Sequence, residues 1–330
     1  MKKQTVLMAL ALFASLVFCN AAFAAKVTIK FAHGASTEHQ FHIAAEEFKR
    51  ILEEKSQGEI VVNIFPQGQL GSERDAIEGV RMGTLEMATV AAAGAMPSFV
   101  PQTAVLGIPY VLESRKQAYA VLDGEFGRMM SDLIGEKNMV NLCFWEVGFR
   151  QFSNNTRPIR TAENMKGLKI RVQESKVWME FIKTLGAIPT PVSFGELYSA
   201  LQQKVVDGQE NPIATIYSMK YYEVQKYMTL DGHTYEAAAV LINPKFLEGL
   251  SEEHRGMVVE AAEEARDSQR AKLEELDAKW LDLIRQAGVE VEENPDLASF
   301  REATKDFYKN LDTIPESLAL AFFEAAEKAK

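Results

Sequence analysis

Two arginines that lie among apolar residues are the side chains of this sequence best suited to chemistry with a ligand. Arg171 lies in an apolar segment that alternates like a strand, on the face opposite Leu168 and Ile170. Because a parallel sheet is normally covered on both faces, a guanidinium at that position needs an anionic partner. The partner is either a ligand or a carboxylate of the chain itself, unless the strand end is exposed. Arg150, which follows Gly148 and a phenylalanine, allows the same alternatives.

The other polar residues form no catalytic motif. The sequence contains no G-x-S-x-G, no Walker motif and no G-x-G-x-x-G, which argues against a serine hydrolase and against a phosphate or dinucleotide cradle. His39 and His42 are three residues apart, but two ligands do not make a metal site. Asn211, which precedes Pro212, either caps a helix or hydrogen-bonds a ligand. We therefore expect no enzyme activity, no metal and no cofactor.

The composition excludes further classes of protein. The chain has 330 residues, with 36 basic and 46 acidic side chains and a formal net charge of -10. Since it also lacks a basic block, nucleic acid is not expected as a partner. Cys19 and Cys143 are too few for a disulfide framework or a multi-cysteine metal site. A soluble enzyme or a soluble binding protein of about two domains remains.

The N-terminus has the pattern of a secretory signal. Lys2 and Lys3 precede an apolar run at 6–18, and Ala-Phe-Ala follows at 22–24. We predict a signal peptide at 1–24 that is removed on export. Cys19 raises the alternative of a lipid anchor, but the bulky Phe18 precedes it where such signals have a small residue. Cleavage after residue 24 predicts a protein of the periplasm or the cell exterior.

The mature chain reads as alternating strands and helices. Residues 27–31 and 60–64 alternate as strands, and the segment between them has apolar residues at helical spacing, which predicts a parallel β-α-β unit. A second centre of the same pattern begins near 147. The segment from 251 to about 286 is strongly helical and too long to be buried within one lobe. We predict a two-lobed α/β fold, with a ligand cleft between the lobes and this long helix bridging them.

No flexible linker separates the two centres, so we expect the chain to pass between the lobes more than once. The first lobe is predicted to comprise residues 25–148 plus 237–277. The second is predicted to comprise residues 149–236 plus 278–330.

Five segments of the mature chain carry a resemblance to a known protein family. They are FPQGQLGSERDAIEGVRMGTLEM (65–87), GFRQFSNNTRPI (148–159), MKGLKIRV (165–172), LGAIPTPVSFGELYSALQQKVVDGQENP (185–212) and YYEVQKYMTLDGHTY (221–235). Together they resemble the extracytoplasmic solute-binding proteins of tripartite ATP-independent periplasmic (TRAP) transporters, of the DctP type. No single segment decides the matter, but five in register over nearly the whole mature chain are specific.

The resemblance implies a role for four residues of the second lobe. Arg171 matches the family's principal carboxylate anchor, and its guanidinium offers two parallel N–H donors that fit the two oxygens of a carboxylate. Arg150 matches a second arginine that contacts the ligand. Asn211 matches the amide that completes the carboxylate site, and Phe194 matches an aromatic wall of the pocket.

Looser matches add five further candidates. His33 and Glu73 are expected to meet the ligand from the first lobe. Ala91 lies near the position where sialic-acid-binding members carry an acidic residue, and this difference argues against sialic acid. Trp178 and Tyr235 fit either the pocket wall or the core.

The resemblance implies a monomeric periplasmic receptor that captures a small organic acid, closes around it and docks on the membrane permease subunits of a TRAP transporter. Two alternatives stay open, a receptor that feeds a membrane sensor and an exported enzyme on a related two-lobed fold. The sequence does not choose among C4-dicarboxylates, 2-oxo and 2-hydroxy acids, sugar acids and aromatic acids.

Overall fold

The structure is a computed structural model that describes residues 26–330, so that the predicted signal peptide and Cys19 lie outside the described residues. The strands are β1 (Val27–Ala32), β2 (Ile60–Phe65), β3 (Met87–Ala91), β4 (Val140–Asn154), β5 (Lys169–Val172), β6 (Ile188–Pro191), β7 (Gly208–Pro212), β8 (Tyr227–Thr229), β9 (Tyr235–Ile242) and β10 (Glu290–Glu292). The helices are α1 (Gln40–Lys55), α2 (Glu73–Met82), α3 (Arg115–Asp123), α4 (Glu125–Gly135), α5 (Lys176–Thr184), α6 (Leu197–Gln202), α7 (Ile213–Ser218), α8 (Pro244–Gly249), α9 (Glu252–Gln286), α10 (Leu297–Thr304) and α11 (Glu316–Lys328).

The first sheet is built on the predicted β-α-β unit. β1 and β2 pair in parallel, with Val27 opposite Ile60, and α1 connects them. β3 pairs in parallel with the other edge of β1, and β9 joins β3 antiparallel. The predicted apolar face of α1 is buried against this sheet, and its residues are Phe41, Ala44, Ala45, Phe48, Ile51 and Leu52. The helical spacing in the sequence therefore identified the packed face correctly.

The second sheet shares β4 with the first. The amino-terminal part of β4 pairs with β9, and its carboxyl-terminal part pairs antiparallel with β7 and β8. β5 lies parallel to both β7 and β6. The chain changes sheets close to Gly148, where the register with β9 is irregular and the backbone has φ of 118°. The predicted two-lobed α/β fold is confirmed, with a strand that runs through both lobes.

The long helix α9 also contacts both lobes, and its predicted extent is confirmed. The Ser251 side chain caps its first turn by accepting from the His254 N–H at 3.1 Å. Its first half packs on α1 and β4, where the Trp145 Nε1–H donates to the Ala262 carbonyl at 3.1 Å. Its second half packs on α7, where the ring of Trp280 stacks on a tyrosine. The helix therefore joins the lobes on the side of β4.

The predicted boundaries of the lobes stay a prediction, and the contacts of α11 favour one change to them. The Phe322 ring stacks on Phe126 of α4 with centroids 5.0 Å apart. The Gln117 side chain on α3 donates to the Ala326 carbonyl at 2.7 Å. Residues 316–328 thus pack on helices assigned to the first lobe, although the prediction placed them in the second.

Residues 26–330 contain neither a candidate membrane span nor a candidate metal site. No helix in this range is long and apolar enough to cross a membrane. No group of three His, Cys, Asp or Glu side chains in it is arranged to hold a metal ion.

The position of Gly148 leads to a test of the fold. A Cβ on this residue would lie 3.3 Å from the Pro212 Cβ, and its positive φ is strained for any other residue. We expect Gly148→Ala to lower the free energy of unfolding by about 1–3 kcal/mol, measured by urea denaturation. Gly256→Ala, in open space on α9, is the control and should raise it slightly. Equal stability of Gly148→Ala and the parent would contradict the role of this glycine.

Candidate functional site

A cleft of about 310 Å³ lies between the two lobes. It opens where parallel strands of both sheets end at their carboxyl termini, which is the usual place for a ligand in an open α/β sheet. The first lobe contributes segments that follow β1, β2 and β3, and the second lobe contributes segments that follow β5 and β6. The lining of the cleft includes Glu73, Gly94, Arg171, Gln173 and Phe194.

Arg171 presents an incompletely bonded guanidinium to this cleft. The residue lies on β5 and is only 1% exposed. Its Nε donates to the Val192 carbonyl at 2.9 Å, but its Nη1 has no hydrogen-bond partner among the described residues. Burial lowers the pKa of Arg171, and the nearby Glu210 and Glu73 oppose this shift without cancelling it. A buried cation without a partner is costly, so the site is suited to an anion that enters the cleft.

In contrast, all three guanidinium nitrogens of Arg150 donate hydrogen bonds to groups of the protein. Its Nε donates to a Glu210 carboxylate oxygen, and its Nη2 donates to the other oxygen at 3.0 Å. Nη2 also reaches the Asn211 side-chain oxygen at 3.2 Å, and Nη1 reaches Glu236 at 3.4 Å. The guanidinium lies 4.9 Å from the centroid of the Trp178 ring. For Arg150, a carboxylate of the chain is therefore the partner that its buried position requires.

The ion pair of Arg150 continues into a buried chain of acidic and basic groups. His233 Nε2 lies 3.3 Å from a Glu210 oxygen, and its Nδ1 lies 2.8 Å from an Asp231 oxygen. Burial alone would lower the pKa of His233, but Asp231 and Glu210 together raise it. Burial raises the pKa of Glu236 to about 7, because it outweighs the attraction of Arg150. These groups fix the position of the Arg150 guanidinium.

Glu73 faces the cleft from the first lobe. It is the first residue of α2, and the Ser72 side chain caps this helix. The Glu73 carboxylate accepts from the Ala91 N–H at 2.9 Å. Burial raises the pKa of Glu73, while the Ala91 N–H and the charge of Arg171 act in the opposite direction. The carboxylate keeps free acceptor positions for hydroxyl groups of a ligand.

The inner end of the cleft is a small extension of about 10 Å³ that is bordered by both lobes. Asn211 lies there, with its Nδ2 donating to Gln209 Oε1 at 2.5 Å and its oxygen accepting from Arg150. Phe194 forms a wall of both the cleft and the extension. Thr215, on α7, is 1% exposed and completes the extension.

Six of the predicted site residues come together. Three of them line the main cleft: Arg171, Glu73 and Phe194. The other three border the inner extension: Arg150, Asn211 and Ala91.

The structure does not bring the other three predicted residues into the cleft. His33 is 2% exposed, and its ring nitrogens are occupied by the Ala35 N–H at 3.3 Å and by His42 Nδ1 at 3.1 Å. Trp178 lies beneath the guanidinium of Arg150. Tyr235 is buried against two other aromatic rings. Trp178 and Tyr235 therefore lie in the core, which is one of the two alternatives that the sequence left open for them.

Several polar residues that line the site were not predicted from the sequence, among them Gln173, Thr215 and Arg74. Gln173 is two residues after Arg171, so the period-two alternation of a strand would have placed it on the same face. Its Oε1 has no partner among the described residues and lies beside Gly94 of the other lobe. Thr215 lies in a six-residue helix that no periodicity revealed.

The sequence is similar to those of known proteins. The DctP family model, described as bacterial extracellular solute-binding protein, family 7, matches residues 31–313. The 2,3-diketo-L-gulonate-binding periplasmic protein YiaO of Escherichia coli is 33% identical over 303 residues, which cover 92% of each chain.

Solved structures agree closely with the fold. A TRAP periplasmic solute-binding protein from a Polaromonas species, bound to D-erythronate, is 33% identical and has a TM-score of 0.87, covering 92% of this chain and 98% of its own. The sugar acid binding protein DctPAm from Advenella mimigardefordensis, in complex with galactonate, is 30% identical and has a TM-score of 0.89, covering 92% and 99%. The chain therefore belongs to the DctP family of bacterial extracellular solute-binding proteins.

Proposed function

We propose that this protein is the periplasmic receptor of a TRAP transporter, which holds a small organic acid by its carboxylate on Arg171 and delivers it to the membrane permease. The observation that carries the proposal is the guanidinium of Arg171, buried beside the cleft with its Nη1 lacking a partner among residues 26–330. A carboxylate supplies charge and acceptors together. The signal pattern at 1–24 supports export to the periplasm, where a permease can meet the receptor.

The charges around the cleft favour an acid with a single carboxylate and several hydroxyl groups. Glu210 already pairs with Arg150, which leaves Arg171 as the buried basic group for a ligand, while the other arginine of the cleft lining, Arg74, is exposed. Glu73 and the Gln173 Oε1 are acceptors that suit hydroxyl groups, and a second carboxylate would be repelled by Glu73. The ligands of two similar structures, D-erythronate and galactonate, have this chemistry.

The two lobes approach one another closely at the cleft. Gly94 follows β3 in the first lobe, and Gln173 follows β5 in the second. A Cβ added to Gly94 would lie 2.2 Å from Gln173 Oε1. This contact supports closure of the lobes around the acid, with β4 and α9 as the connections that persist.

A thermal-shift screen tests the receptor function. We expect D-erythronate, galactonate or a related hydroxylated monocarboxylate to raise the melting temperature of the ligand-stripped protein, since a ligand at a hundred times its Kd adds about 2.7 kcal/mol. Neutral sugars and amino acids are the controls, and succinate tests for a dicarboxylate preference. A shift with succinate alone would overturn the single-carboxylate proposal, and a shift with neutral compounds alone would overturn the carboxylate receptor.

Substitution of Arg171 tests the anchor. We expect Arg171→Ala to weaken binding of the acid at least about 100-fold, because two charge-assisted hydrogen bonds are lost. Arg171→Lys should also bind weakly, since an ammonium cannot reproduce the two parallel donors. Calorimetry gives the affinities, and Arg128→Ala, at an exposed arginine, serves as the control. Arg171→Ala with an affinity within a few-fold of the parent would remove Arg171 from the site.

Small-angle scattering tests closure. We expect the radius of gyration to fall when the acid saturates the protein, because the lobes close on it. The Arg171→Ala variant at the same acid concentration should show no change. An equal radius with and without acid in the parent would contradict closure.

A further inference from the structure

Thr215 borders the inner extension of the cleft, and its hydroxyl oxygen lies within hydrogen-bond distance of two side-chain nitrogens. Its Oγ1 lies 3.0 Å from Gln40 Nε2 and 3.1 Å from His39 Nε2. Thr215 and both of these neighbours are buried. The direction of the two hydrogen bonds decides what the hydroxyl proton can do.

The contact with Gln40 has only one possible direction. The Gln40 amide nitrogen is a donor, and its two N–H groups go to the Val147 carbonyl at 2.9 Å and to Thr215 Oγ1. The Thr215 oxygen is therefore the acceptor in this contact.

The contact with His39 has the same direction. His39 Nδ1 accepts from the Phe41 N–H at 3.1 Å, so this nitrogen carries no proton. Burial, and then the neighbouring His33, hold the pKa of His39 well below its usual value, so the ring is neutral. The single ring proton consequently lies on Nε2 and is donated to Thr215 Oγ1.

A hydroxyl group has two acceptor positions and one proton to donate. Both acceptor positions of Thr215 are filled, and within residues 26–330 its hydroxyl donates to no other group. The extension beside it has room for about one water-sized group. Glu73, Gln173 and Phe194 border both this extension and the main cleft, so the two spaces adjoin.

We propose that Thr215 determines specificity by donating its hydroxyl proton to the oxygen on carbon 2 of the bound acid, the atom next to the carboxylate that Arg171 holds. This inference rests on the proposed function. The small extension admits a hydroxyl or keto oxygen at that position, and the fixed direction of the hydrogen bond requires this oxygen to accept. Thr215 thereby distinguishes 2-hydroxy and 2-oxo acids from acids that lack an oxygen at carbon 2.

The test compares the affinities for D-erythronate and for 3,4-dihydroxybutanoate, its 2-deoxy analogue, by calorimetry. We expect the parent to prefer D-erythronate by about three- to tenfold, the range of one neutral hydrogen bond. Thr215→Val, which keeps the shape but removes the hydroxyl, should bind the two acids equally, and Thr215→Ser should restore the preference. Thr215→Ala is a second variant without a hydroxyl, in case Thr215→Val does not fold.

The ratio of the two affinities separates a specificity role from a structural one. Loss of the His39 and Gln40 contacts alone would weaken both acids by the same factor, and an unchanged ratio in Thr215→Val or Thr215→Ala would overturn the inference. Thr229→Val is the matched control, because this buried threonine donates to the Ile159 carbonyl at 2.8 Å and is not among the residues that line the cleft. A parent that binds neither acid, nor any other carboxylate, would instead overturn the proposed function together with this inference.

Discussion

The bidentate ion pair between Arg150 and Glu210 sets the electrostatics of the whole cleft. Both side chains are almost fully buried, so neither charge can be left alone. Removal of one partner from such a pair typically costs about 3–5 kcal/mol. The pair also joins β4 to β7 where the two sheets meet, and His233, Asp231 and Glu236 extend it into the protein. Arg150 is paired in this way, whereas the Nη1 of Arg171 has no partner among residues 26–330, which is why we propose that Arg171 holds the acid.

The acidic character of the chain does not oppose the binding of an anion. Charges on the surface are screened over about 8 Å at physiological ionic strength, whereas a guanidinium in a buried cleft acts at contact distance. The site that we propose needs a buried cation and a set of fixed acceptors, and Arg171, Glu73 and Gln173 are the residues that we assign to these roles. The net charge of -10 therefore bears on solubility more than on ligand choice.

The two connections between the lobes bear on the closure that we propose. β4 keeps one backbone through both sheets and changes partner close to Gly148. α9 contacts both lobes on the side of β4, through Trp145 in the first lobe and through Trp280 and α7 in the second. β4 and α9 lie on one side of the cleft, and loops at the strand ends lie on the other. We therefore expect the lobes to close by a hinge motion and not by deformation of either core.

The sequence by itself determined the local elements and the kind of chemistry. Period-two and helical spacing identified the β-α-β unit, the buried face of α1 and the extent of α9, because these patterns depend on neighbours within one element. The position of Arg171 in an apolar strand indicated a buried cation. Only the tertiary structure distinguished the two arginines, which look alike in sequence: Arg150 pairs with a carboxylate of the chain, whereas the Nη1 of Arg171 has no partner among residues 26–330. Glu210 is 60 residues from Arg150 along the chain and meets it only through the register of β4 with β7. The directional contacts of Thr215 were equally hidden, because they join three residues of two lobes that no local pattern relates.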